Sequence, residues 1–310
     1  MSEIIELIPV PVPFINTVCK HNPGVHETLI QLKENEYGLE EIPIRPEEIN
    51  SYRNKFSGNE IEIMIQVFKR AGFDKKNGFG KTAVFRSRYE LARLTAGTRN
   101  RRIQNFIDAI KTLEGPHWLA FSQKRKNFIA HIAPLKIEIL ETGEISVHVC
   151  PQLIEGKTYR LAPSNPSQIL KIYGVKRADT AHIKTFLYMA DRIGSLRNGN
   201  SLKKLKIYEG AGIAGYFKQR NGNRARKILS DTLEAMQAGG LIDWTDGKEK
   251  IIFSYNRENW GQKEPEPKAR TVAQVTPFRG TSDADRGTSD AGEKTKIQIL
   301  REKSGLRAIS

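Results

Sequence analysis

"TRNRRIQNFIDAIKTLEG" (residues 98–115) places Arg99, Arg101 and Arg102 at its start and then turns apolar at helical spacing. Ile103, Phe106, Ile107, Ile110 and Leu113 fall on one stripe at about 100° per residue, as in an amphipathic helix lying on a core. Arg101, Asn105, Asp108 and Thr112 lie opposite the stripe, Arg102 and Gln104 flank it, and Gly115-Pro116 ends the segment. A helix N-terminus already carries partial positive charge, so three arginines there are unfavourable within the chain. The pattern predicts an anionic group outside it.

The same design recurs in "NGNRARKILSDTLEAMQAGG" (221–240). A shift of 123 residues brings Asn100-Arg101 onto Asn223-Arg224, Phe106 onto Leu229, Ile110 onto Leu233 and Leu113 onto Met236. Each helix is followed by a tryptophan, Trp118 or Trp244, and then by a basic turn and a strand-like run. One structural unit used twice is the expectation.

Working outward, "SRYELARLTAG" (87–97) is a helix ended by Gly97, a few residues before the first arginine-led helix. Helix, short glycine-bearing turn, helix is the helix-turn-helix plan, whose second helix enters the major groove. "SGNEIEIMIQVFKRAGF" (57–73) is a further helix, with Ser57 as N-cap and Glu60 in the capping-box position. "WLAFS" (118–122), "NFIAHIAPLKIEILE" (127–141) and "EISVHVCPQLI" (144–154) read as strands, with "ETGE" (141–144) as a hairpin turn. Ile145, Val147 and Val149 alternate as a half-buried strand does. Helices followed by a hairpin make a winged helix. "LAPSNPSQIL" (161–170) marks a boundary region, "ADTAHIKTFLYMADRIGSL" (178–196) is an apolar-striped helix, "LKKLKIY" (202–208) is strand-like, and a second hairpin spans 242–255.

The resulting expectation is an α+β chain with two tandem winged-helix domains, 51–156 and 157–261. An N-terminal extension (1–50) precedes them, within which "VHETLIQLKENE" (25–36) is expected as a short helix. From 262 to 310 the chain becomes polar and repetitive ("RGTSDADRGTSDAG"), with too little apolar content to fold alone, so a disordered tail is expected.

The chain has 310 residues, 38% of them hydrophobic, and a formal net charge of +15. Such an excess of cations favours an anionic partner, most often nucleic acid. Between 197 and 227 nine cations face one acid, Glu209. No stretch of 18 apolar residues is present to span a bilayer, "IELIPVPVPF" is a poor signal peptide, and two cysteines (Cys19, Cys150) make no disulfide framework. A bacterial cytoplasmic protein with no membrane partner is expected.

Motifs for catalysis are missing from the sequence. "GFGKT" (78–82) lacks the first glycine of a phosphate-binding loop, since Lys75 stands five residues before Gly80, and it reads as a flexible basic loop. No His-x-His pair of the rolling-circle nickase kind occurs. His131, His148 and Cys150 lack a fourth partner for a structural zinc site. A protein without enzymatic activity, cofactor or metal is therefore expected.

The candidate DNA-contacting residues are Arg99, Asn100, Arg101, Arg102, Gln104 and Asn105 on the first helix, and Asn221, Asn223, Arg224, Arg226 and Lys227 on the second. Lys124, Arg125 and Lys126 in the first basic turn, with Lys248 and Lys250 in the second, complete the set. Arginine pairs bidentately with guanine, and asparagine or glutamine with adenine, in the major groove. Turn lysines suit phosphates, which fix position without reporting sequence.

Taken together, "SRYELARLTAGTRNRRIQNFIDAIKTL" and "NRARKILSDTLEAMQAGGLIDW", with the order of elements over about residues 50–258, resemble the theta-type initiators of iteron-containing plasmids. The resemblance implies binding to repeated duplex sites at an origin. It also implies partners: the host replication initiator, the replicative helicase and a second copy of the chain in a homodimer that represses its own promoter. A winged-helix transcriptional regulator without an initiator role would share every DNA-binding feature and stands as the alternative.

Overall fold

The computed structural model describes residues 5–19, 29–35, 38–43, 56–97, 102–123, 126–155, 158–195 and 201–254. Expectations for 262–310, and for Arg99, Asn100, Arg101, Lys124 and Arg125, lie outside the described residues.

The chain opens with β1 (Leu7–Pro11) and α1 (Val12–Cys19), followed by β2 (Leu29–Asn35) and β3 (Gly38–Pro43). The expected helix at 25–36 is thus a strand from Leu29 onward. Ile30 and Leu32 alternate with Gln31 and Lys33, and β3 supplies an antiparallel ladder that a short isolated helix would lack. α2 (Gly58–Ala71) starts with the expected capping box: Glu60 N–H donates to Ser57 Oγ at 3.3 Å, and Ser57 N–H donates to Glu60 Oε2 at 2.9 Å.

"GFGKT" is packed rather than loose. β4 (Phe73–Asp74) pairs with β5 (Gly78–Phe79), Phe79 is buried, and β6 (Thr82–Phe85) follows at once. Gly80 lies so close to the Ala71 carbonyl that a Cβ has no room, and its N–H is spent on Gly72 O at 3.0 Å.

α3 (Arg88–Ala96) is capped by Ser87, and α4 (Ile103–Leu113) is the helix of the opening quotation. Phe106, Ile110 and Leu113 are fully buried, Ile103 and Ile107 partly so, and Arg102, Gln104, Asn105, Asp108 and Thr112 are exposed. The apolar stripe of the sequence is the buried face of α4.

Two hairpins follow where one long strand was expected at 127–141. β7 (His117–Gln123) and β8 (Lys126–Ile132) form the first, and β9 (Leu135–Ile139) and β10 (Ile145–Val149) the second. The break falls at Pro134, which has no N–H for a ladder. β7 and β8 extend a four-stranded sheet ordered β3-β2-β8-β7, with β2 and β8 parallel, whereas β9 and β10 close on β6.

α5 (Pro151–Ile154), β11 (Tyr159–Pro163), α6 (Pro166–Ile172) and α7 (Thr180–Ser195) lead into the second half. There β12 (Ser201–Lys203) is short, and the rest of "LKKLKIY" becomes α8 (Lys204–Gly210) instead of a strand. Ile207, Tyr208 and Ala211 are buried at helical spacing, which overrides the strand reading. α9 (Gly215–Lys218), α10 (Gly222–Ala238), β13 (Asp243–Asp246) and β14 (Lys250–Ser254) complete the described chain.

The architecture is α+β, and one topology occurs twice. α2, β6, α3, α4, β9 and β10 form a run whose sheet is ordered β6-β10-β9. α7, β12, α8, α10, β13 and β14 repeat it with the order β12-β14-β13. In α10, Leu229, Leu233 and Met236 are buried where α4 buries Phe106, Ile110 and Leu113.

The two halves share packing. β1 pairs antiparallel with β11, from Leu7 opposite Pro163 to Pro11 opposite Tyr159, and α1 lies against α5 and α7. Phe14 sits edge-on to Phe68, ring centres 5.0 Å apart, and to Phe56 at 6.2 Å. Gly58 N–H donates to Thr180 Oγ1 at 2.8 Å, and Ser167 N–H to the buried Glu62 carboxylate at 2.9 Å. Residues 7–19 therefore act as a strap across both halves. Phe14→Ala should destabilise the protein by about 3–5 kcal/mol, the usual range for a fully buried phenylalanine. Chemical denaturation of the two proteins measures it, and a loss below about 1 kcal/mol would mean that the strap is not packed as described.

Candidate nucleic-acid interface

The buried stripe of α10 leaves Asn223, Arg224, Arg226 and Lys227 exposed on its first two turns. Asn221 precedes the helix with no side-chain cap, so the first-turn N–H groups have no side-chain acceptor there. Arg220, just before it, is the one non-glycine with positive φ (56°) among the described residues.

The three cations of α10 divide between two clefts on its flanks. Arg224, Lys227, Ile228 and Asp231 line a cleft of about 790 Å³, whose opposite wall is the α6–α7 connection with Val175, Lys176, Arg177 and Asp179. Arg226, Leu229, Ser230 and Leu233 line a second, of about 390 Å³, facing Lys204, Tyr208, Phe217, Trp244 and Lys248. The helix is thus a ridge with basic residues on both sides. Lys250 begins β14 beside the turn that carries Lys248, and both are exposed.

Several of these cations are already held. Arg224 Nη2 donates to Asp179 Oδ2 at 3.0 Å, and the guanidinium lies over the Tyr216 ring, 5.0 Å from its centre. Lys227 Nζ pairs with Asp231 Oδ1 at 2.9 Å. Arg226 Nη1 donates to Asn223 Oδ1 at 2.9 Å, with its guanidinium 5.8 Å from the Phe217 ring centre. Lys204 pairs with Asp246 at 2.6 Å. Among the described residues Lys176, Arg177 and Lys248 have no carboxylate partner, and all three are exposed.

Beneath the larger cleft lies His182, buried at the start of α7. Its Nδ1 is 2.8 Å from Asp179 Oδ1, and its Nε2 lacks a hydrogen-bond partner, with Asp231 Oδ2 at 3.6 Å. Burial by itself would raise the Asp179 carboxyl. Hydrogen bonds from the His182 ring and backbone, and from Arg224, outweigh burial and hold it well below the usual carboxylate range.

The first half presents less. Arg102 occupies the N-cap position of α4 without capping it, Gln104 donates to Asp108 Oδ1 at 3.0 Å, and Asn105 is exposed. Lys126 is the first residue of β8. The basic turn at 124–126 was expected in the place that Lys248 and Lys250 occupy in the second half. By topology the counterpart of β13–β14 is β9–β10, whose turn carries Glu141 and Glu144. Of that basic stretch Lys126 alone is described, at the start of β8 in the additional hairpin, which Pro134 separates from β9.

Sequence reasoning overlooked Lys176 and Arg177, and with them the carboxylates of Asp179 and Asp231. The pair "KR" just before a helix start was the available signal. Their closeness to Arg224 depends on the packing of α6 and α7 against α10. Among the described residues no group of three or more His, Cys, Asp or Glu side chains could hold a metal ion. His148 is engaged by Thr82, Ser146 and Glu138, and burial pushes the Cys150 thiol up to about 11. No helix of the described residues is long and apolar enough to cross a membrane.

Neither a comparison with protein-family models nor a search of curated proteins finds a match to this chain.

Because the folded Asp179 carboxyl lies below its unfolded value, it stabilises the fold above that unfolded value and loses the effect as pH falls through the folded one. The wild-type chain should therefore melt higher than Asp179→Asn at pH 7. The difference should shrink once pH drops below about 4, the ordinary aspartate value. Melting curves across that range test it, and a gap that stays constant down to pH 3 would contradict the assigned network.

Proposed function

We propose that this chain is a sequence-specific duplex-DNA-binding protein made of two winged-helix units, and that it serves as a plasmid replication initiator of the iteron-binding type. The observation that carries the DNA-binding reading is the ridge of α10 with cations on both flanks. A major groove is about 12 Å wide and bounded by two phosphate strands. A helix that enters it needs hydrogen-bonding side chains at its tip and positive charge on each side. Asn223, Arg224 and Arg226 supply the first, Lys176 and Arg177 one flank, and Lys248 the other. Helix, strand, helix, helix and hairpin, with the third strand central, is the winged-helix order, and its appearance twice supports two such units. The α4 face with Arg102, Gln104 and Asn105, together with Arg99, Asn100 and Arg101 before it, is the corresponding reader in the first half.

Initiator function rests on the resemblance of the two arginine-led stretches and the order of elements to iteron-binding proteins. In that role the chain binds repeated origin sites, opens DNA with the host initiator and passes it to the replicative helicase. It has no enzymatic step of its own.

A preferred duplex is first selected from a randomised pool, and each of its base pairs is then changed in turn. Arg224→Ala should lose about 1–3 kcal/mol of discrimination at one base pair. Lys248→Ala should weaken binding to all duplexes alike and reduce the steepness of the salt dependence by about one counterion. If no duplex is enriched, or if both variants lower all affinities equally, α10 does not read bases.

A further inference from the structure

Arg224 is mounted on a group that is itself fixed by another element. Asp179 Oδ1 accepts from the N–H groups of Ala181 and His182 at 3.0 and 3.1 Å and faces His182 Nδ1 at 2.8 Å. These contacts tie the carboxylate to the start of α7. His182 is in turn wedged between Asp179 and Asp231 of α10, so it packs the two helices together at this point. Only Asp179 Oδ2 is left over, and it takes Arg224 Nη2. On the other side the guanidinium rests over Tyr216.

An unrestrained arginine samples many rotamers, and ordering it on a partner lowers affinity. A guanidinium has five N–H donors in a fixed fork. One contact with Asp179 spends one donor and sets the plane of the fork, leaving other donors free for a base edge. The same carboxylate neutralises the charge that would otherwise draw the side chain to the nearest phosphate. Lys227 is restrained in a parallel way by Asp231, whereas Lys176 and Arg177 at the rim remain unpaired.

Building on the reading of α10 as a base-contacting helix, we propose that Asp179 is a positioning residue that sets the specificity of Arg224. It holds the guanidinium in the orientation that reads one base pair and keeps it from serving as a general phosphate contact. Asp179 itself does not touch DNA.

Asp179→Asn in the full chain keeps an oxygen for the two N–H groups at the start of α7, so the helix start is retained while the charge is lost. Affinities of the wild type, Asp179→Asn, Arg224→Ala and the double variant are measured at one salt concentration. The probes are the selected duplex, its single-base-pair variants and an unrelated duplex. Discrimination should fall roughly fivefold or more at the base pair that Arg224→Ala also affects, and at no other. Affinity for the unrelated duplex should rise roughly two- to fivefold, as expected for one added positive charge. The double variant should show the profile of Arg224→Ala alone. If Arg224→Ala loses discrimination but Asp179→Asn does not, the positioning role is overturned while the reading of α10 stands. An unchanged profile for Arg224→Ala would remove that reading and this role together. Uniform weakening across all duplexes by Asp179→Asn would show general structural damage and would also overturn it.

Discussion

Burial of one apolar stripe per helix decides what the rest of the molecule can present. Once Leu229, Leu233 and Met236 of α10 are fully inside, Asn223, Arg224, Arg226 and Lys227 must face outward. The same holds for α4, where Phe106, Ile110 and Leu113 anchor the helix and Gln104 and Asn105 are left in water. The stripe contributes on the order of 1.5–3 kcal/mol per large side chain from removal of apolar surface, so the outward face is a consequence of packing and needs no charge to hold it. That frees the outward residues to be chosen for a partner.

Their surroundings shape the field they produce. The chain carries a formal charge of +15, yet the second-half ridge is no bare cluster of cations. Asp179 and Asp231 partly neutralise Arg224 and Lys227, and Asp246 holds Lys204, while Lys176, Arg177 and Lys248 stay open on the flanks. Half-exposed ion pairs of this sort add little stability, so their effect is to orient long side chains. Restrained donors in the middle with open cations at the edges fit the proposed division between base reading and phosphate contact.

Legibility in the sequence followed the range of the interactions involved. The amphipathic helices, the Ser57–Glu60 capping box, the Gly97 helix end and the "ETGE" turn depend on neighbours within a few residues, and each is where the pattern placed it. Errors arose where a distant partner decided the outcome. Residues 29–35 are a strand because β3 and β8 pair with them, and 204–210 are a helix because Ile207, Tyr208 and Ala211 reach the core. The first half carries two hairpins, and which one closes on β6 was invisible without the break at Pro134. In the candidate interface, Arg224, Arg226 and Lys227 were evident from spacing alone. Asp179, 45 residues away from Arg224, was not, because only the docking of α7 beside α10 brings it within 3.0 Å.

The central claim is that one chain reads duplex DNA with two unlike helices. Two such helices reach the major groove from the same side only at positions about 10–10.5 bp apart. Footprinting of the selected duplex, combined with sedimentation to count chains per site, tests this most directly. One chain should protect roughly 20 bp of non-palindromic sequence, and five base pairs inserted between the half-sites should abolish most of the specific affinity by turning one groove to the far side. A palindromic footprint occupied by two chains, each reading the same half-site through one helix, would contradict the account.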